Sequence, residues 1–336
     1  MGTKMTLKGL AKLLNVSIST VSKALNDNPE ISLETRLRVK ELAESYKYVP
    51  NNVAQNLKSK STKTIGVIIP AILLEFFSKA LYGIEREATK RGYKIIICLS
   101  NELQKKESES IDTFINGSVD GIILSVAEET QKIKDYSHFH KSMNYDLPMV
   151  MFDRVVDEVK CDKVTVDDLE GAYKATKFLS DISSKNILFI NPISDISVGQ
   201  FREEGYVKAI DELGLQPLII NVENYTSIEQ LLTEHLKSNT IDAILAADEY
   251  SAVLAINIAR LNGYDVPNDI SVIGFTNGLM SEHSIPSLTV VSQHAENIGK
   301  LAVKTLLEKL EGGSETPIHK VVETTIIERN STRKHV

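Results

Sequence analysis

An α/β protein preceded by a small helical domain is the fold class this sequence predicts, and three observations predict it. Before residue 50 lie three short segments with helix caps and apolar residues at helical spacing. From Ile65 onward, β-branched runs alternate with amphipathic segments, the pattern of parallel strands joined by helices. With 336 residues, 42% of them hydrophobic and 25% charged, the chain has an ordinary globular composition and is too long for one core.

The first segment starts at Thr6, a helix cap, and carries Leu7, Leu10, Ala11 and Leu14 on one side. Asn15 tolerates the left-handed conformation that a tight turn demands. Ser17 then caps a second helix, Val16 to Asn26, with Val21 and Leu25 inward and Ile18, Ser19, Ser22 and Lys23 outward. That outer face is small and polar, suited to touching base edges and phosphates, although an ordinary capped surface helix has the same appearance. Asn28-Pro29-Glu30 forms a loop and Ser32 caps a third helix, for which Leu33, Leu37, Leu42, Ala43 and Tyr46 are the expected buried side. Charge adds direction. Residues 1–60 hold ten Lys and Arg against five Asp and Glu, so this end is +5 while the remainder carries −12 of the chain's net −7.

Thr6-Leu7-Lys8, Val16-Ser17, Thr20-Val21-Ser22, Leu25-Asn26, Glu34-Thr35-Arg36, Val39 and Tyr48-Val49-Pro50-Asn51 together resemble the DNA-binding headpiece of the lactose/galactose-repressor (LacI/GalR) family of bacterial transcription regulators. The resemblance continues over nearly the whole chain to Glu328-Arg329-Asn330-Ser331-Thr332. Gly9 stands where the family usually has an acidic residue and Asn15 where it usually has glycine; both bear on helix ends. The resemblance implies a helix-turn-helix headpiece at 1–50, a hinge helix and linker at 51–63, and an effector-binding and dimerisation domain at 64–336. It implies that Ile18, Ser19 and Lys23 read bases, while Lys4, Ser17, Thr20, Ser22, Asn51 and Asn52 meet the phosphates or cap the reading helix. Lys23 replaces an arginine often found there, giving a point charge instead of a planar fork.

Pro50 is placed to start a helical turn through Asn52-Val53-Ala54-Gln55-Asn56-Leu57, too short to persist alone in water. In the resembled family this segment pairs with its twin on DNA, Ala54 at the close approach and Leu57 as the minor-groove wedge. The polar run from Lys58 to Thr64 is equally consistent with a plain linker.

Strands are expected at Ile65 to Ile69, Lys94 to Leu99, Gly121 to Leu124 and Met149 to Phe152, then near Asn186 to Ile190, Pro217 to Asn221, Ala243 to Ala246 and Ser271 to Phe275. The two sets imply two lobes and a cleft. The resemblance makes them a periplasmic-binding-protein-like domain, lobe 1 at about 64–165 and 294–328 and lobe 2 at about 166–293, crossed near Val164 to Asp167 and again near Gln293. An effector at the strands' C-terminal ends would meet Phe76, Phe77, Asp153, Arg154, Arg202, Tyr225, Asp248 and Gln293. These groups suit a sugar: carboxylates accept from hydroxyls, arginine donates in a fork, and aromatic faces cover a ring's CH side. Each has a plainer alternative, with Phe76 in the core, Arg154 paired to Asp157 or Glu158, and Asp248 capping the helix after it. Leu74-Glu75 replaces the Asn-Pro common before the two aromatics.

Other classes lack residues. Pro70-Ala71-Ile72-Leu73-Leu74 offers no glycine to a nucleotide, and no Gly-x-Ser-x-Gly occurs, so neither a cofactor nor hydrolase chemistry is expected. His138 and His140 diverge on a helix without a third ligand. Cys98 reads as a buried strand residue and Cys161 as a loop residue, with no disulfide or metal spacing. No apolar run approaches the roughly 20 residues of a membrane span. Met1-Gly2-Thr3-Lys4 leads into a helix, so a cytoplasmic protein is expected and an exported solute-binding transport protein is the rival. The expected partners are a pseudo-palindromic DNA operator, a small-molecule effector and a second copy of the chain.

Overall fold

The computed structural model describes residues 5–48, 61–222, 224–314 and 316–334; Lys4, Asn51, Asn52, Ala54 and Leu57 lie outside them. The chain divides into two compact units, Met1–Thr62 and Lys63–Val336.

The first unit has three helices, α1 (Leu7–Leu14), α2 (Ile18–Leu25) and α3 (Leu33–Ser45). Each is started by a hydroxyl cap. Thr6, Ser17 and Ser32 accept from the backbone N–H of Gly9, Thr20 and Thr35 at 3.1, 3.0 and 3.3 Å. Asn15 ends α1 with φ 55°, the left-handed turn that aims α2 away from α1. Leu10, Ala11, Val21, Ala24, Val39 and Ala43 close one small core. The face of α3 differs from expectation. Leu33, Leu37 and Tyr46 are exposed, because Val39 and Ala43, four apart, point inward together with half-buried Leu42.

The second unit begins with a lobe made of β1 (Thr64–Ile69), α4 (Glu75–Lys90), β2 (Lys94–Leu99), α5 (Gln104–Ile115), β3 (Gly121–Leu124), α6 (Glu128–Ile133), α7 (Ser137–Asn144), β4 (Met149–Phe152) and β5 (Asp162–Val166). The second lobe follows with α8 (Asp168–Asp181), β6 (Ile187–Asn191), α9 (Ser197–Glu212), β7 (Leu218–Asn221), α10 (Ile228–Ser238), β8 (Ala243–Ala246), α11 (Glu249–Leu261), β9 (Ser271–Phe275), α12 (Leu279–His283) and β10 (Thr289–Ser292). The chain then returns through α13 (Ala295–Leu310) and β11 (His319–Val322) to the first lobe and crosses a third time to β12 (Thr325–Ile327).

The first sheet is parallel throughout in the order β11-β5-β4-β3-β1-β2. The second has the order β12-β10-β9-β8-β6-β7, with β12 antiparallel at its edge. The third crossing corrects the expectation that the chain ends in the first lobe. Val291 pairs with Ile326, and beyond it Ser331 donates its hydroxyl to the Val272 carbonyl at 2.6 Å, so the tail adds backbone partners to the second sheet. Helices cover both faces of each sheet, and the central strands are accordingly apolar on both sides. At the edge, β2 is half covered. Cys98 is therefore only partly buried, whereas Cys161 is buried and its thiol is pushed up to about 11 by desolvation; both cysteines are free.

Helices α4 and α13 cross at two glycines. A methyl group on Gly299 would lie 2.0 Å from the Ala80 carbonyl oxygen, and one on Gly83 would lie 2.1 Å from that of Glu296. This crossing fixes the helix layer behind Phe76 and Phe77. Gly299→Ala should lower stability by about 3 kcal/mol, the upper end of overpacking costs, despite alanine's better helix propensity. Urea unfolding checks this, and a neutral or stabilised variant would contradict the close crossing.

Candidate functional site

Two surfaces carry the residues singled out in the sequence. On the first unit, α2 turns Ile18 and Ser19 to solvent, with Ile18 46% exposed despite its size. The Ser17 hydroxyl touches those of Ser19 and Thr20 at 2.7 and 2.8 Å, so capping and presentation of the helix are one network. Lys23 is not a free charge. It pairs with Glu30 in the loop between α2 and α3, an exposed contact that costs little to exchange for a phosphate or base.

In the second unit, Phe76, Phe77, Asp153, Arg154, Arg202, Tyr225, Asp248 and Gln293 all line one cavity of 270 Å³ between the lobes. Strand ends place half of them. Asp153 and Arg154 follow β4, Asp248 follows β8 and Gln293 follows β10, while Phe76 and Phe77 open α4 and Arg202 lies in α9. The sequence reading passed over Ile193, Thr276, Tyr250 and Met280, which also line it. Ile193 and Thr276 sit just beyond β6 and β9, so position relative to the strand ends was the available signal.

Arg202 is almost completely buried, and so is its partner Asp168. Its Nε donates to Asp168 Oδ1 at 2.8 Å, Nη2 lies 2.7 Å from the same oxygen, Nη1 donates to the Ala247 carbonyl at 2.6 Å, and the guanidinium stacks 4.1 Å from the centre of the Phe275 ring. Arg154 is held differently from expectation. Its Nη1 donates to both Glu102 oxygens, at 2.9 and 2.8 Å, because Asp157 is taken by Lys163 at 2.6 Å. Asp248 serves both readings at once. It caps α11 by accepting from Ser251 N–H at 2.8 Å, and its other oxygen accepts from the Tyr225 hydroxyl at 3.0 Å. Burial pushes the Asp248 carboxyl and the Tyr225 phenol above their ordinary values. Phe76 likewise belongs to the core and to the cavity wall.

Asp153 has φ 60° and a carboxyl raised to about 7, first by burial and then by the charge of Asp168, against the pull of Arg154 and Arg202. The folded state keeps this proton to about pH 7, whereas the unfolded chain releases it near 4. Its contribution to stability is therefore lost as pH rises from about 4 to 7 and is constant above that.

The cavity's rim joins the lobes. Gln131 accepts from Ser197 N–H and donates to its hydroxyl, both at 3.1 Å, and Lys132 bridges Glu128 and Asp195 at 2.7 and 2.8 Å. His138 is buried against Glu107 at 2.9 Å and His140 bonds to the Tyr136 carbonyl. Among the described residues no cluster has the makings of a metal site, and no helix is long and apolar enough to cross a membrane.

A three-helix headpiece with a capped, solvent-facing second helix, in one chain with a two-lobed domain around a polar cavity, defines a DNA-binding regulator of the ligand-responsive class. Comparison with known proteins narrows this. Residues 6–51 match the family model "Bacterial regulatory proteins, lacI family", and residues 184–332 match a periplasmic binding protein-like domain. The chain is 30% identical to the ribose operon repressor of Haemophilus influenzae, over 97% of this chain and 98% of that one. It is 33% identical to catabolite control protein A of Priestia megaterium, over 90% and 91%. The fold matches the lac repressor dimer bound to operator and the anti-inducer ONPF, with a TM-score of 0.85, 23% identity, and 98% and 99% of the two chains covered. The chain belongs to the lacI family of bacterial regulatory proteins and is a DNA-binding transcriptional regulator.

Removing Arg202 alone leaves Asp168 buried and unpaired. Arg202→Ala should cost about 3 to 5 kcal/mol in unliganded stability, and Arg202→Leu with Asp168→Asn should recover most of it. Urea unfolding of the two variants tests the pair, and equal losses in both would refute it.

Proposed function

We propose that this regulator is a repressor whose affinity for a pseudo-palindromic operator is switched by a small sugar held between the lobes. The observation that carries this is the convergence of Arg202, Asp248, Tyr225, Asp153, Arg154 and Gln293 on one cavity, with Phe76 and Phe77 beside them. Fork donors, carboxylate acceptors and aromatic faces are what a ring of hydroxyls and CH groups requires. At 270 Å³ the cavity lies just below the roughly 300 to 1,000 Å³ typical of ligand pockets, which favours a small ligand. The likeness to the ribose operon repressor of Haemophilus influenzae points the same way.

Two copies related by a two-fold axis would set two headpieces on the two half-sites, Ile18, Ser19 and Lys23 on bases, with Ser17, Thr20, Ser22, Lys4, Asn51 and Asn52 as caps and phosphate contacts. Ala54 and Leu57 would form the paired hinge and its wedge. Residues 1–50, 51–63 and 64–336 then divide the work into reading, hinging and sensing. Such a protein acts at the chromosome, in the cytoplasm, and needs no catalytic step: the cavity's polar groups bind, cap and pair.

A thermal-shift screen of monosaccharides, disaccharides and purines tests the ligand class. A binder at about 100 times its dissociation constant raises stability by roughly 2.7 kcal/mol, and the same compound should change operator retention in a gel shift. A purine hit with silent sugars would overturn the sugar assignment. The Asp153 carboxyl adds a pH signature. A ligand hydroxyl donating to it favours the ionised form, so affinity should rise about tenfold from pH 6 to 8 and level off above, by linkage to the free-state value of about 7. Calorimetric titration of wild type and Asp153→Asn checks this; a flat wild-type profile would remove Asp153 from ligand contact.

A further inference from the structure

Both arginines of the cleft are already spoken for, and each is held by a carboxylate of its own lobe. Arg202 is closed by Asp168, and Arg154 is closed by both oxygens of Glu102. Glu102 does not line the cavity, so it acts on a ligand only through Arg154.

Its placement is unusual. Asn101 and Glu102 are successive residues at φ 49° and 63°, a region non-glycine residues rarely occupy. The turn is pinned by Leu103 N–H on the Ser100 carbonyl at 3.0 Å and by Glu129 N–H on the Glu102 carbonyl at 3.1 Å. The carboxylate also accepts from Glu128 N–H at 2.8 Å in the first turn of α6. A cap of that kind needs one oxygen. Here both oxygens also meet Arg154 Nη1, whose side chain is only 8% exposed. Strained backbone held by several contacts is where a functional constraint is expected.

The remaining charges in the cavity wall are acidic. Glu75 is paired with Lys79 at 3.3 Å, but Asp153, Asp248 and Glu249 have no salt-bridge partner among the described residues. Asp248 and Glu249 are satisfied by neutral donors, the Tyr225 hydroxyl with Ser251 N–H, and Ser281 N–H. A phosphate ester carrying about −1.5 to −2 would meet these carboxylates with both cations of the wall already neutralised.

We infer that Glu102 sets the ligand's charge class: by holding the Arg154 guanidinium it makes the cleft select an uncharged monosaccharide and reject its phosphate ester or another small anion. This rests on the assignment of the cleft as a sugar site. Glu102 is thus a positioning and specificity-determining residue that never touches the ligand.

Calorimetry on the full chain at pH 8 tests it, with ribose, glucose and fructose each set against its own monophosphate. Wild type should bind one neutral sugar about 100-fold or more tighter than its ester, as expected when a dianion enters a cleft whose two cations are already neutralised and whose other ionisable groups are carboxyls. Glu102→Gln keeps the side chain's shape and an oxygen for Glu128 N–H but frees Arg154. That variant should narrow the ratio about tenfold or more, chiefly by tightening the ester. An ester bound by wild type as tightly as its parent sugar overturns the inference, as does a folded Glu102→Gln with an unchanged ratio. Should that variant fail to melt cooperatively, the wild-type ratio decides alone. Failure of the underlying assignment has a different signature, since wild type would then bind none of the sugars and none of the esters.

Discussion

Burial of Arg202 is the constraint from which the second lobe's site follows. A guanidinium withdrawn from water costs several kcal/mol unless its donors are met, and here Asp168, the Ala247 carbonyl and the Phe275 face meet them. Each partner belongs to a different element: Asp168 opens α8, Ala247 follows β8 and Phe275 ends β9. Satisfying one side chain therefore locks three elements to α9. The α8 and α9 crossing is correspondingly tight, since a methyl on Gly205 would stand 2.1 Å from the Leu169 carbonyl oxygen. The first lobe repeats the device in a less buried form, with Arg154 on Glu102.

Much of this was legible in the residues. Hydroxyl caps at Thr6, Ser17 and Ser32, and β-branched runs such as Ile65 to Ile69, are local signals, and the local structure obeys them. The eight cleft residues were legible through the resemblance, and Asp153, Arg154, Asp248 and Gln293 also through their positions at strand ends. What stayed hidden depends on contacts between residues distant in sequence. Glu102 reaches Arg154 across 52 positions from a turn whose Asn-Glu pair gives no sign of two left-handed residues. For Arg154, neighbours in sequence suggested Asp157, but Lys163 on the adjacent strand had already claimed it. In α3 the apolar residues outnumber the places in so small a core, and periodicity alone did not say that Val39 would join Ala43 there while Leu33, Leu37 and Tyr46 stay exposed.

The third crossing escaped for a related reason. Strands β11 and β12 are short, their residues are not a clean alternation, and only two residues separate the parallel edge in one sheet from the antiparallel edge in the other. Three strands of connection between two lobes, at β5, β10 and the β11–β12 link, lie side by side by virtue of sheet order.

That geometry separates two kinds of polar contact by what a lobe rotation would break. The buried pairs, Arg202 with Asp168 and Arg154 with Glu102, lie within single lobes and survive any rotation intact. Contacts across the cleft are of another kind: Gln131 with Ser197, Lys132 with Asp195, and Lys79 with the Asn277 carbonyl. Lys132 and Asp195 are 44% and 64% exposed, so their pair contributes only about 0 to 1 kcal/mol. The rim amide bonds have water as a ready alternative and are worth about the same. The polar contacts that a lobe rotation would break are thus weak ones, while the buried pairs within each lobe would be kept. A ligand that gains even 1 to 3 kcal/mol more from two walls than from one is then enough to decide the balance. The costly charges are settled within each lobe, so a ligand spanning both walls would only have to add to the weak contacts at the rim.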